Sequence, residues 1–278
     1  MVWRAFLVFR PLNLLILALS QFLVYYFLNP SPVVRDLANP QFRAFLGIVL
    51  ASMMIAASGY LINDLFDQKV DLTNKPSKTP IQFWKPAQIN VAYGLLNVVA
   101  LVIGFFISWG MFQVFLATAL LLYLYSARFQ YWPLVGNLTV SFLAAISLLI
   151  VKFVAVETPS LLLLFYAGFA FLLTLIRELV KDVEDMDGDA GAGYRTAPIA
   201  WGKSTVKWIV IVLSFLGLIS YLGILNFGFS VVKPSDPLRW QSIYNALFVG
   251  VPFIILIRQL SKAATKEDYS GISQICKY

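Results

Sequence analysis

The sequence predicts an all-α protein, a polytopic bundle of membrane-spanning helices. Three observations carry that expectation. Of 278 residues, 60% are hydrophobic and 13% charged, with a mean hydropathy of +0.79, well outside the composition of a soluble domain. Apolar runs of the length that crosses about 30 Å of hydrocarbon recur along the chain. Lys and Arg gather between alternate runs, as expected of loops on the cytoplasmic side of a membrane.

Eight runs are clear: 12–28, 44–62, 87–108, 111–125, 138–156, 161–176, 208–225 and 244–257. A ninth span is sought in the weakly punctuated stretch 222–232. The first run follows Arg4 and Arg10 and so has the outline of a signal peptide. It leads into Asn29-Pro30-Ser31-Pro32 without a small-residue cleavage site and reads as a retained helix. With eight spans, sixteen of the 21 Lys and Arg fall on one side, which places both termini and the second, fourth and sixth loops in the cytoplasm. No soluble domain, low-complexity tract or repeat interrupts the pattern, so 1–278 is expected to be one transmembrane domain. The lone Cys276 forms no intrachain disulfide and fits no prenylation signal.

Charge is scarce, which makes its placement informative. At the end of the second run the chain reads Asn63-Asp64-Leu65-Phe66-Asp67, with Asp71 four residues on. At the end of the sixth, Asp182, Asp185 and Asp189 repeat the spacing, joined by Glu178, Glu184 and Asp187. Nine of the 14 acidic residues sit in these two segments. Helical spacing stacks i, i+3 and i+7 on one face, where like charges repel by roughly 0.2–0.5 kcal/mol per pair. A hard divalent cation offsets that repulsion, and Mg2+ prefers one or two carboxylates together with phosphate oxygens. The chain has no His, which disfavours softer metals and removes histidine as a base. Acidic runs at helix ends are commonly solvated loop charges. Two clusters of the same spacing, both at cytoplasmic ends of spans, weigh against that reading.

These residues resemble the UbiA superfamily of intramembrane prenyltransferases. Its first motif, N-D-x-x-D-x-x-x-D, falls on Asn63, Asp64, Asp67 and Asp71, and its second, D-x-x-D-x-x-x-D, on Asp182, Asp185 and Asp189. Flanking matches are Asn74-Lys75-Pro76, Tyr125-Ser126, Gly136-Asn137 and Gly193-Tyr194-Arg195-Thr196. The wording of the second motif is similar to the digeranylgeranylglyceryl phosphate synthase-like branch. Two departures stand out. Lys78-Thr79 occupies the place of an Arg-Pro, and Gln130-Tyr131 that of a Lys-Arg, so Arg128 becomes the candidate to replace the missing charge.

The resemblance implies nine helices around a cavity roofed by the two Asp-bearing loops. It further implies Mg2+ held by Asp64, Asp67, Asp71, Asp182, Asp185 and Asp189, which are also the catalytic residues. Asn63, Lys75, Lys78, Tyr125, Arg128, Lys181, Arg195 and Asn13 are candidates to bind substrate; Asn13 and Gln21, polar within the first span, either line the cavity or bridge helices. The expected partners are a prenyl diphosphate donor, a lipophilic acceptor and membrane lipid, with no nucleic acid. The expected reaction is ionisation to an allylic cation followed by attack of the acceptor, with Tyr60, Phe66, Tyr123 and Tyr125 as aromatic faces for the cation. An intramembrane terpene cyclase of the same superfamily, and a lipid or ion transporter, are the alternatives. The expected location is the cell (inner) membrane, with the active site facing the cytoplasm.

Overall fold

The computed structural model describes residues 7–29, 36–68, 84–154, 161–231 and 249–276. All regular structure among them is helical. The chain forms two compact units, 1–171 and 172–278.

The first unit holds α1 (Pro11–Leu28), α2 (Pro40–Phe66), α3 (Pro86–Ile107), α4 (Trp109–Ala127) and α5 (Val135–Leu149). Proline opens α1, α2 and α3, where its missing N–H has no helical partner to lose. Side chains supply the other start signals. Asn39 accepts from the Gln41 N–H at 2.8 Å, Gln88 from the Lys85 N–H at 3.0 Å, and Ser108 from the Met111 N–H at 3.1 Å. A cap of this kind is worth about 1 kcal/mol. Ser108 alone, in an extended conformation, separates α3 from α4, so the two form a tight hairpin.

Helix α2 is the centre of this unit: 61% of its apolar window is buried, against 22% in α3 and 17% in α4. Phe45, Ile48, Ala51 and Ile55 pack with Tyr25, Met111, Phe115 and Val151, and Phe45 stacks on Tyr25 at 4.0 Å. Lipid is as apolar as leucine, so association of such helices rests on close packing and on buried polar bonds. Gln21 supplies the latter. Its amide donates to Ser52 Oγ at 3.1 Å and to the Ser147 carbonyl at 2.8 Å, joining α1, α2 and α5. Of the two roles the sequence allowed Gln21, helix bridging is the one these bonds describe. The outer faces stay apolar: Leu15, Leu19 and Leu23 on α1, and Val91, Leu95, Val98 and Phe106 on α3, are exposed.

Helix α6 (Leu161–Gly191) has 31 residues and is therefore about 46 Å long. That exceeds the hydrocarbon thickness, so its polar half from Arg177 onward extends beyond it. In the second unit follow α7 (Ala197–Trp201), α8 (Lys203–Val231), α9 (Val251–Lys262) and α10 (Lys266–Ile275). Lys207 donates to the carbonyls of Ser261 at 3.0 Å and Ala263 at 2.8 Å, and Lys203 to that of Ala264. These cations close the negative end of α9.

Among the described residues six helices are long and apolar enough to cross a membrane, and Pro11–Tyr26 is a shorter apolar one. The six correspond to the second through seventh runs of the sequence. Stretch 222–231 does not open a new span. It continues α8 without a break, because Gly223 and Gly228 lower helix propensity without supplying a stop. Of the run 244–257, residues 244–248 lie outside the described residues, and the remainder is the start of α9.

Candidate active site

Helix α2 ends at Phe66, with Asp67 as its C-cap. Asp64 and Asp67 therefore share its last turn. Of the motif, Asp71 lies outside the described residues, as do Lys75 and Lys78. The last turn has no basic residue of its own. Carboxylates at the negative end of a helix are disfavoured, by about 0.3–1 kcal/mol each, so counter-charge must come from elsewhere in the fold.

It comes from Arg10, which precedes α1. Its Nη2 donates to Asp64 Oδ1 at 2.7 Å, and its guanidinium lies 4.7 Å from the centre of the Tyr60 ring. Asp64 is buried. Burial pulls the arginine's pKa down, yet the Asp64 carboxylate, with Tyr60 and Tyr125, outweighs it and leaves the pKa raised. Arg10 stayed unrecognised as a site residue because loop arginines before a span ordinarily report topology alone. The available signal was its place beside Pro11, on the same predicted side of the membrane as Asp64.

Asp67 is held differently. Asn63 Nδ2 donates to its Oδ2, and Gln130 Nε2 to its Oδ1 at 2.8 Å. Both of these donors are neutral amides. Gln130 belongs to a 3-10 turn, Phe129–Tyr131, directly after α4. Its amide also donates to the Ser126 carbonyl at 3.0 Å, as does the Tyr131 hydroxyl at 3.2 Å. The Gln130-Tyr131 pair thus satisfies an orphan carbonyl at the end of α4 while reaching Asp67. Gly136 makes room for the turn, since a Cβ there would stand 2.8 Å from Gln130 Cα and 3.0 Å from the Phe129 carbonyl oxygen. Arg128 is exposed at the C-cap of α4. Among the described contacts, the residue of this segment that reaches the carboxylates is Gln130, not Arg128.

The other candidates take these places. Asn13 lies in the first turn of α1, and its backbone N–H donates to the Arg10 carbonyl at 2.8 Å. Tyr125 is half-buried in the last turn of α4, and Phe66 meets Tyr123 edge to face at 6.1 Å. Of the proposed cation-stabilising faces, Tyr60 does hold a cation, the protein's own Arg10.

Asp182, Asp185 and Asp189 lie on one continuous helix, α6, so their spacing puts them on one face as the sequence predicts. All three are half-buried, as is Lys181; Arg195 is exposed in the loop beyond. Glu178 is buried and ion-paired to its neighbour Arg177. The helix ends in a Schellman motif: the Tyr194 N–H meets the Asp189 carbonyl at 2.9 Å and the Gly193 N–H that of Ala190 at 3.1 Å. Gly193 has φ +77°, a conformation in which glycine alone is unstrained.

Among the described residues no three Asp, Glu, Cys or His side chains converge as a ready-made metal cage. The donor set still suits Mg2+, which takes one or two carboxylates and completes its shell with phosphate and water. Asp64 and Asp67 offer hard oxygens one helical turn apart, and the chain has no imidazole to compete.

The model of the UbiA prenyltransferase family matches residues 31–269. The chain belongs to this family. A digeranylgeranylglyceryl phosphate synthase from Methanobrevibacter smithii is 31% identical over 93% of this chain and 89% of its own. One from Methanothermobacter thermautotrophicus is 34% identical over 75% and 70%. A UbiA homolog from Archaeoglobus fulgidus, solved bound to GPP and Mg2+, has the same fold, with a TM-score of 0.70 and 17% identity over 99% of this chain and 95% of its own. As a UbiA prenyltransferase the protein is a membrane enzyme that transfers isoprenoid chains.

Proposed function

We propose that this UbiA prenyltransferase transfers an isoprenoid chain from an allylic prenyl diphosphate to a lipophilic acceptor in the membrane, and that it depends on Mg2+. The observation that carries the proposal is the carboxylate pair at the end of α2, with Asp67 fixed through both oxygens by Asn63 and Gln130. Asp64, Asp67 and Asp71 would hold one Mg2+ ion, and Asp182, Asp185 and Asp189 a second. When bound, the ions neutralise charge on the diphosphate as its carbon–oxygen bond breaks. The chain's own residues do the rest. The amides of Asn63 and Gln130 keep Asp67 oriented, Lys75, Lys78, Lys181 and Arg195 supply donors for phosphate oxygens, and Tyr60 and Tyr125 present ring faces toward positive charge. An apolar chamber keeps water from the allylic cation until the acceptor attacks. The named relatives favour an acceptor of the glycerol phosphate lipid class, made water-soluble at its head and greasy in its tail.

The reading extends to the whole chain: the two units act as one domain in the cell membrane, with the carboxylates facing the cytoplasm, in keeping with the Lys and Arg distribution. A screen of prenyl diphosphates against glycerol phosphate, aromatic and quinone-precursor acceptors, in Mg2+-containing membranes with products weighed by mass spectrometry, tests it. A prenylated acceptor is the expected product. A cyclic hydrocarbon formed without any acceptor would contradict transfer.

A further inference from the structure

Asp64 and Asp67 are one turn apart and differ in what holds them. Asp67 accepts from the amides of Asn63 and Gln130, which orient its carboxylate. Asp64, with a side chain 9% exposed, carries a full positive charge on Oδ1, donated by a guanidinium that is 42% exposed. The residue making that donation is itself in an unusual state. Arg10 has φ 49° and ψ 59°, the left-handed region that L residues other than Asn and Asp seldom enter. It also precedes Pro11, which favours an extended conformation in the residue before it. A backbone held in such a conformation persists where surrounding contacts over-determine it and is often tied to function. Here those contacts are the Asp64 carboxylate and the Tyr60 ring, both presented by α2.

We propose that Arg10 is the internal counter-ion of Asp64, which a divalent cation must displace to gain that carboxylate, and that the released guanidinium then binds the diphosphate. The proposal rests on the metal-dependent reading above and adds a step to it: Asp64 exchanges its guanidinium partner for the ion. No bond is made or broken. Asp64 trades one cation for another, and a planar guanidinium with paired donors suits phosphate oxygens. Metal and diphosphate binding thereby become cooperative, because each removes a cost that the other would meet alone.

The test is Mn2+ binding to the purified full chain, followed by the electron paramagnetic resonance of the free ion, with and without inorganic pyrophosphate. Wild type is expected to bind Mn2+ weakly alone and more tightly with pyrophosphate. Arg10→Gln should bind Mn2+ alone roughly five-fold more tightly, the scale of a partly exposed ion pair, and lose most of the enhancement by pyrophosphate. Tyr60→Leu loosens the same guanidinium without altering either charge and should move Mn2+ affinity the same way by a smaller factor. Unchanged or weaker Mn2+ affinity in both variants, with wild type binding normally, overturns the counter-ion role alone. A wild type that takes up no Mn2+ under either condition overturns the metal-dependent reading beneath it.

Discussion

Gln130 shows how one residue can depart from a family pattern and still serve the site. A lysine there would place an ammonium against Asp67; the amide places a donor without a charge, at 2.8 Å. Partners that orient a metal ligand typically matter by 10- to 100-fold in affinity or activity. Gln130→Ala is accordingly expected to lower kcat/KM by roughly tenfold, with a matching loss of metal affinity, while thermal stability changes little. Gln130→Lys should weaken metal binding further, since it gives Asp67 a competing cation. Titration of activity against Mg2+ separates the two. The motif made Asp64, Asp67 and Asn63 legible in the sequence. Arg10 and Gln130 were not, because each meets its carboxylate across more than fifty residues of chain, and no local pattern encodes such a meeting. Cys276 can be judged at the same scale. Burial, partly opposed by Arg177, pushes its thiol up to about 11, so about 0.1% is thiolate at pH 8. Iodoacetamide should label it slowly at pH 8 and far faster near pH 11; rapid labelling at pH 8 would show that the thiol is not buried.

At the scale of helices, the sequence predicted positions better than ends. Apolar length located α2 through α6 and α8, whereas the end of α2 at Phe66 was hidden inside a motif whose spacing looks helical throughout. The stop of α6 was marked by a glycine, and it can be tested there. Gly193→Ala forces a Cβ into φ +77° and should destabilise the end of α6 by about 1–2 kcal/mol. Faster amide exchange over 189–194, the backbone beside the second carboxylate cluster, is the expected readout. Helix α10 offers a pH test. Asp268 accepts from the N–H groups of Ala264 and Thr265, both at 2.9 Å, and these bonds, with the Thr265 hydroxyl, hold its pKa below the usual carboxylate range. A depressed folded pKa means a contribution fully present above the unfolded value and lost as pH falls through the folded one. Amide protection at the start of α10 should therefore be constant from neutral pH to about 4 and decline only below it.

For the whole molecule, composition already fixed the class: helices with apolar outer faces, such as Trp208, Val212, Phe215 and Ile219 on α8, need hydrocarbon around them. Charge distribution suggested which side carries the carboxylates, and the family model then gave the class of chemistry. What no sequence pattern could supply was the way each carboxylate is held, since that depends on which helix ends meet. We propose that both carboxylate clusters, Asp64 and Asp67 on α2 and Asp182, Asp185 and Asp189 on α6, are required for turnover. The most direct test of this central claim is the release of inorganic diphosphate from geranylgeranyl diphosphate by the purified chain in the presence of acceptor and Mg2+. The account predicts that a chelator stops release and that Asp67→Ala and Asp185→Ala each reduce it by at least about a hundredfold. Turnover that survives the chelator, or that survives either substitution at near wild-type rate, would contradict it.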